Sequence, residues 1–442
     1  MTFSSISKGL VVFVLCVCTY SLSIAQNQLQ LTLQEVCEKT IQNSPQLKVV
    51  KQGIAVSEQA TQVVKSALSP TVQLSASASY IGNGYLTDRN WGSGQSVEMP
   101  HFGNNFSFEA SQVVFAGGSI IQGIEKAKLQ EQLAALQYNQ SKLDMCFLVT
   151  GYYLDLYKLI NQRSVLEKNI EQTQLLIEEI KHKEQQGMVL SSDVTRQELR
   201  LQSLKLALIE LNNSIDIINQ QLVITMGLPN HVHIVPHASV LETSLQALQE
   251  ETLLQQAQQN LPTLQIASKN VEIAAKEVRL AKADYYPQVG VFANNHYDGP
   301  IMIEVPVINS NFDYWMVGVG VSYNLSSTYK TPRRVRLAKA VQKNAQLQEE
   351  SLLADIQKAV YAAYTRYIES HKKVEVYQTN LKLANENYQI IHNRYLNDLV
   401  LITEMLDAQT TQLNAQLELV NAQIDVVYKY YALMYQIGEN MV

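Results

Sequence analysis

The clearest pattern along the chain is a spacing of three and four residues between apolar positions in two separate stretches. The first stretch contains Leu201, Leu204, Leu208, Leu211, Ile215, Ile218 and Leu222. The second contains Leu413, Leu417, Val420, Ile424, Val427, Tyr431 and Met434. Such spacing is typical of helices that pack side by side as in a coiled coil. Because a long helical pattern precedes each stretch, we predict two antiparallel helical hairpins, at about 120–227 and 333–438.

Four shorter segments alternate apolar and polar residues, at about 71–80, 105–115, 288–297 and 315–325. The clearest is the last, where Trp315, Val317, Val319 and Val321 alternate with Met316, Gly318, Gly320 and Ser322. This period of two predicts strands with one apolar face. Each segment is about ten residues long, the length that crosses a bilayer at a tilt. A soluble four-stranded sheet that packs on a helix is the alternative.

The chain also repeats itself. Pro45 and Pro70 recur as Pro262 and Pro287, and 187–190 falls opposite 398–401. A unit of roughly 200 residues is too long for a solenoid repeat, so we predict an internally duplicated domain. Its first copy is 26–230, the connector is 231–245 and the second copy is 246–442. The predicted fold class is mainly α with a small β part.

The amino terminus has the pattern of a cleaved secretory signal over residues 1–25. Lys8 precedes an apolar run, and Ser23-Ile24-Ala25 supplies a small-x-small cleavage site. The run is about ten residues, too short for a spanning helix. Export then leaves the periplasm, the medium or an outer-membrane barrel as destinations. Four strands cannot close a barrel alone, so a spanning barrel has to be shared, and three copies would supply twelve strands.

Composition excludes several classes of function. The formal net charge of −6 argues against a nucleic-acid binder. The chain lacks a phosphate loop, a His-Glu-x-x-His motif, a Cys-x-x-Cys pair and a nucleophile elbow, so we expect neither an enzyme nor a cofactor. His231, His233 and His237 lack an acidic or thiol ligand nearby in sequence, so we interpret them as loop histidines rather than a metal site. Whether Cys37 and Cys146 pair is left open.

Two segments carry a resemblance to a known family. One runs from Tyr395 to Gln409 through Asn397-Asp398-Leu399 and the chain then ends near Ile437-Gly438; the other is Gly187–Val194. In order and duplication they resemble the TolC family of outer-membrane efflux channels, over essentially the whole mature chain. The resemblance implies a homotrimer with a 12-stranded barrel in the outer membrane and an α-helical tunnel through the periplasm. It also implies an exit duct joined through a periplasmic adaptor to an inner-membrane pump.

In this arrangement the turns between the long helices mark the periplasmic mouth. Asp193, Glu404 and Asp407 lie just beyond those turns, and the last two share a helix face. Like charges about 10 Å apart repel by about 1.7 kcal/mol per pair at an effective dielectric of about 20. A ring of these carboxylates would therefore resist anions, attract cations and act as a gated constriction. Ordinary solvated helix acids are the alternative.

The same turns supply the remaining candidate residues. Arg196, Arg394 and Tyr395 are nearest in sequence for bridging a closed ring. The residues expected to dock the adaptor are Gly187, Met188, Asn397, Asp398 and Leu399. Asp398 departs from the family pattern, which usually has Gly at that place; Asn and Asp tolerate the left-handed conformation better than most residues. The alternative function is a periplasmic coiled-coil adaptor or scaffold without a pore, which would normally show only one hairpin.

Overall fold

The computed structural model describes residues 27–242, 250–304 and 306–439, and these residues form two compact units. The strand unit comprises Lys51–Tyr138 and Pro262–Ala354, and the hairpin unit comprises the rest of the described chain. Each unit takes matching segments from both sequence repeats. The predicted signal segment 1–25 lies outside the described residues, as does part of the predicted connector.

The described chain is mainly helical with a smaller β part, which confirms the coarse fold class. Its strands are β1 (Asn27–Leu31), β2 (Thr71–Tyr80), β3 (Gly84–Thr87), β4 (Gly94–Val97), β5 (Phe102–Ala116), β6 (Val232–Pro236), β7 (Gln288–Gly299) and β8 (Phe312–Ser322). Its helices are α1 (Leu33–Asn43), α2 (Pro45–Lys65), α3 (Ser119–Gln185), α4 (Ser191–Thr225), α5 (Glu250–Asn260), α6 (Pro262–Ala283), α7 (Ser327–Leu396) and α8 (Ile402–Gln436). None of the described helices is both long enough and apolar enough to span a membrane.

A four-stranded antiparallel sheet forms the centre of the strand unit, in the order β2-β5-β7-β8. The last strand ends at Ser322, three residues before the predicted end at 325. The reason is the Asn324 side chain, whose Oδ1 accepts hydrogen bonds from the backbone N and the hydroxyl of Ser326. Such a turn competes with strand pairing and leads into the next helix.

The apolar face of this sheet is open in the single chain. Val317, Val319 and Val321 are each about 70% exposed, and Leu74 and Trp315 are exposed as well. The edge strands are β2 and β8, since each pairs on one side only. The sheet therefore presents both an uncovered apolar face and two edges with unpaired backbone groups.

The long helices of the strand unit begin beside two shorter ones. Lys126 pairs with Glu277 and Lys276 pairs with Glu125, which joins the start of α3 to α6. The second long helix, α7, begins at Ser327 rather than at the predicted 333, and it contains Pro332. The fixed φ of proline is helical, but Pro332 has no N–H to donate to the carbonyl four residues earlier, so the second turn of α7 lacks one helical hydrogen bond.

The hairpin unit has its main core where the amino-terminal segment meets the long helices. Val36, Val149, Leu156 and Leu222 are fully buried there. Strand β1 pairs in parallel with β6, so part of the segment read from sequence as a connecting loop is a strand. Asn219 holds this strand because its side chain donates to Val232 O at 3.0 Å and accepts from Ile234 N at 2.8 Å.

Pairs of side-chain amides join the helices away from that core. Asn169 donates to Gln416 at 2.9 Å, Gln162 to Asn421 at 2.6 Å, and Gln412 to Asn385 at 3.0 Å. Asn169 and Gln412 are buried, so their bonds satisfy polar groups that helix packing would otherwise leave without partners. The amide-rich composition of the helices therefore has a structural role.

The ends of the two hairpins pack in a similar way. A Cβ on Gly227 would lie 2.6 Å from Asn43 O, and one on Gly438 would lie 2.9 Å from the carbonyl carbon of Asn260. Both glycines have positive φ. Each repeat thus packs the end of its hairpin against the matching helix boundary, at a distance that only glycine allows.

Helix α4 buries one face only within the single chain. Leu204 and Leu222 on the predicted heptad are buried. Leu199, Leu206, Ile209 and Ile217 lie outside that heptad and are each more than half exposed. A helix turns 100° per residue, so this second stripe lies on the side of α4 opposite the first.

Candidate functional site

The predicted tunnel mouth corresponds to the two turns of the hairpin unit, which we call the first tip (Gln186–Leu190) and the second tip (Asn397–Leu401). In the first tip, Gly187 N donates to Glu184 O at 2.8 Å and Met188 N to Lys183 O at 2.9 Å. In the second, Asp398 N donates to Tyr395 O and Leu399 N to Arg394 O. Both sets have the bonding pattern of a Schellman helix ending.

The residue in the left-handed conformation differs between the tips. Gly187 has φ +74° and Asp398 has φ +60°. The expectation that Asp398 takes the position of the usual glycine agrees with this backbone geometry. A left-handed non-glycine residue costs roughly 1 kcal/mol, so Asp398 needs a compensating interaction to be favourable.

Lys183, which no motif in the sequence marks, provides that interaction. Its Nζ lies 2.9 Å from Asp398 Oδ1 and donates to Leu396 O at 2.5 Å. Leu396 is the last residue of α7, where carbonyl groups lack partners within the helix and attract a cation. Lys183 therefore links the end of α3 to the second tip. Lys183 precedes Gly187 by four residues, but only the structure shows that its side chain contacts the second tip.

The acidic candidates lie at the starts of the two return helices. Asp193 is the third residue of α4 and Glu404 is the third residue of α8, so the repeat places them equivalently. A carboxylate in the first turn is stabilised by the helix dipole. Asp193 is half-buried, while Glu404 and Asp407 are exposed. The structure thus places all three just beyond the tips, on the elements that the sequence predicts.

Tyr395 is the one buried member of the predicted bridging set. It is 4% exposed, and its hydroxyl has no hydrogen-bond partner among the described residues. Burial raises the pKa of Tyr395 to about 12, and the carboxylates of Asp193 and Asp398 contribute to the rise. Tyr395 therefore lies close enough to Asp193 at the start of α4, and to Asp398 in the second tip, for their charges to act on it.

Arg196 and Arg394 are exposed, and neither side chain forms an ion pair with a described residue. Met188, Asn397 and Leu399 are also exposed, so the predicted docking residues are accessible in the single chain. Below them lies a compact apolar cluster in which Ile180 and Met405 are fully buried. This cluster fixes the tips on packed helices rather than on a loose loop.

Comparison with known proteins identifies this arrangement. The family model described as outer membrane efflux protein matches residues 36–228 and 253–439, one segment for each repeat. The chain belongs to the outer membrane efflux protein family. It is accordingly an outer-membrane protein of an efflux system, which confirms the resemblance and the predicted location.

Solved structures of outer-membrane channels share the fold. The outer-membrane channel OprN is 16% identical with a TM-score of 0.76, covering 92% of this chain and 90% of that one. VceC from Vibrio cholerae is 17% identical with a TM-score of 0.74, covering 93% and 97%. The CmeC channel of Campylobacter jejuni is 15% identical with a TM-score of 0.73, covering 92% and 85%. At these identities the likeness shows the fold alone. No curated protein sequence matches the chain.

A histidine and two cysteines of this efflux protein could in principle be reactive, and their contacts are as follows. His237 contacts the Ser239 hydroxyl through Nδ1 at 2.8 Å, and no cluster of three metal-ligating side chains occurs in the described parts of the chain. Cys37 and Cys146 are buried free thiols. The Cys37 sulfur lies 3.8 Å from Cys146 O, so the two cysteines, whose pairing the sequence left open, lie close together in the core.

Proposed function

We propose that this protein is a homotrimeric outer-membrane channel-tunnel, the passive exit duct of a tripartite efflux or secretion system. The observation that carries the proposal is the four-stranded sheet, whose apolar face is uncovered and whose edges, β2 and β8, are unpaired. Open edges are not tolerated in lipid, so a membrane-spanning sheet has to close. Edge pairing between three copies gives a closed barrel of twelve strands, an even number within the observed range.

Unpartnered apolar stripes in the hairpin unit support the same assembly. On α4 the exposed stripe contains Leu199, Leu206, Ile217 and Ile224. On α7 it contains Tyr361, Ile368, Val376, Leu383 and Ile390, at intervals of seven or eight residues. A contact of one surface with a different surface on the next copy generates a ring when the rotation closes. Packing of α4 on α7 of the next copy would bury both stripes and complete the tunnel wall.

The acidic constriction lies at the tips in this proposal. Asp193 and Glu404 occupy equivalent positions in the two repeats, and so do Arg196 and Asp407. In a trimer, one layer would then hold six carboxylates and the next would alternate Arg196 with Asp407. The first layer selects cations by charge. The second closes by pairing opposite charges, with Arg394 and the buried Tyr395 hydroxyl as further donors.

The tips are also the proposed docking surface for the periplasmic adaptor. Gly187, Met188, Asn397, Asp398 and Leu399 are exposed at the end of the hairpins. Binding there would separate the tips and widen the ring, which opens the duct to cargo from an inner-membrane pump. In this proposal the pump supplies the energy for transport, and the duct supplies only an opening.

Charge removal at the constriction tests this assignment. The variant Glu404→Gln with Asp407→Asn removes six carboxylates from a trimer with little change in side-chain volume. The control is Glu418→Gln, which alters an exposed acid on α8 several turns from the tip. We expect the double variant, and not the control, to lower the potassium-to-chloride permeability ratio several-fold. Unchanged conductance and selectivity would show that these acids are ordinary surface groups.

A further inference from the structure

A single lysine side chain connects the two tips of one chain, and we call its pair of contacts the Lys183 clasp. Lys183, from the helix before the first tip, reaches the Leu396 carbonyl and the Asp398 carboxylate of the second tip. The Lys183 side chain is 17% exposed, so it is largely shielded from water there. Shielding strengthens both the ion pair and the hydrogen bond.

The internal repeat gives each member of this clasp a counterpart. Residues 211 positions apart are equivalent, so Arg394 corresponds to Lys183, Gly187 to Asp398 and Gln185 to Leu396. The cation is therefore kept in the second repeat, while the carboxylate is missing from the first tip. Arg394 is exposed and has no ion pair with the described residues. A Cβ on Gly187 would meet nothing within 4 Å, so the place of the missing carboxylate is open.

We propose that Arg394 faces the first tip of the neighbouring copy in a joint that repeats the Lys183 clasp without its acid. This inference rests on the trimer proposed above, in which first and second tips alternate around the mouth. Arg394 would reach the free carbonyls at the end of α3, including that of Gln185, but would find glycine in place of a carboxylate. The contact between the two tips of one chain is then stronger than the contact between the tips of neighbouring chains. The tunnel mouth therefore opens by separation of neighbouring chains.

The geometry can be tested by cross-linking. The pair Arg394→Cys with Gly187→Cys should give covalent dimers and trimers with a short bifunctional maleimide, because the contact is spanned by a long side chain and a direct disulfide needs Cβ atoms roughly 4 Å apart. The pair Lys183→Cys with Asp398→Cys should be linked by the same reagent within one chain and migrate as a monomer. The unmodified chain is the control, because its described cysteines are buried. Monomers only from the first pair would overturn the proposal.

The energetic consequence can be tested by supplying the missing carboxylate. Asp398 shows that aspartate is accommodated at the equivalent left-handed position, so Gly187→Asp should fold. Gly187→Asn is the matched control, since it makes the same backbone demand without the charge. We expect Gly187→Asp to reduce channel opening several-fold relative to Gly187→Asn at about 0.1 M salt, with the difference shrinking at about 1 M through screening. Adding Arg394→Gln should abolish the difference.

Two controls separate this inference from the proposed function. Native mass spectrometry and bilayer recording of the unmodified protein test the trimer and the pore. If these fail, the proposed function fails and takes the inference with it. If the trimer conducts but Gly187→Asp behaves like Gly187→Asn, the proposed duct is supported and the inferred weak contact between chains is refuted.

Discussion

Lys183 Nζ lies 2.9 Å from the Asp398 carboxylate, and this contact joins the two hairpin tips of one chain. It also accounts for an aspartate with φ +60° at a turn where glycine is easier to accommodate. The backbone cost at Asp398 is offset by an ion pair and by a cation placed on the carbonyl end of α7. The tip sequence is therefore set by contacts between helices as well as by turn geometry.

The strength of this contact is the first prediction. Lys183→Ala should destabilise the chain by about 1 kcal/mol, since it removes a partly shielded ion pair and a hydrogen bond. In an Asp398→Gly background, which restores the residue of the first tip, the same substitution should cost less. A double-mutant cycle from denaturant unfolding, followed by helical circular dichroism, measures the coupling. Additive effects would mean that the two side chains do not stabilise one another.

The exposed stripe of α4 yields the second prediction. Leu206→Gln with Ile217→Gln should weaken or abolish trimers, because these side chains are more than half exposed in one chain and would be buried between copies. Helical content should stay unchanged. Leu206→Met with Ile217→Val keeps both positions apolar and should leave the trimer intact. Native mass spectrometry in detergent reads the stoichiometry, and trimers of normal stability in the glutamine variant would argue against this interface.

The third prediction concerns stability at high pH. Burial raises the pKa of Tyr395 to about 12 from an ordinary value near 10. Between these values the folded state keeps the proton and the unfolded state loses it, so stability falls as pH rises from about 10 to about 12. Tyr395→Phe should show a shallower fall in melting temperature over this range. A slope equal to that of the unmodified protein would mean that the hydroxyl is not buried as described.

The fourth prediction concerns the attachment of the amino-terminal segment. The buried Tyr153 hydroxyl donates to Leu31 O and accepts from His237 N, both at 2.8 Å. Tyr153→Phe removes both of these hydrogen bonds and should lower the free energy of unfolding by about 1–2 kcal/mol. Tyr152→Phe is the control, since the Tyr152 hydroxyl has no hydrogen bond within the described chain. Equal costs for the two variants would refute a specific role for Tyr153.

Much of the fold is readable from sequence because its elements are long and regular. The heptad around Leu204 and the alternation around Val319 each identify one element type through many consecutive residues. Strand β2 lies at Thr71–Tyr80, where the alternation predicts 71–80. Boundaries that depend on side chains were less accurate, as at Asn324, where a turn bond ends β8 early.

Contacts between distant segments were the part that sequence did not reveal. Lys183 meets Asp398 across 215 positions, and neither residue has a local signal for the other. The pairing of β1 with β6 likewise joins short segments more than 200 residues apart, too short for a periodic pattern to be distinctive. The acidic residues were found because charge and repeat position are properties of sequence, whereas their convergence at a pore depends on the assembly.

The central claim is a trimeric pore with an acidic mouth, and recording single channels from the detergent-purified protein in a planar bilayer tests it most directly. The account predicts small unitary steps with a clear preference for potassium over chloride, because carboxylates line the narrowest point. A well-folded sample that never inserts, or one whose steps favour chloride, would contradict it.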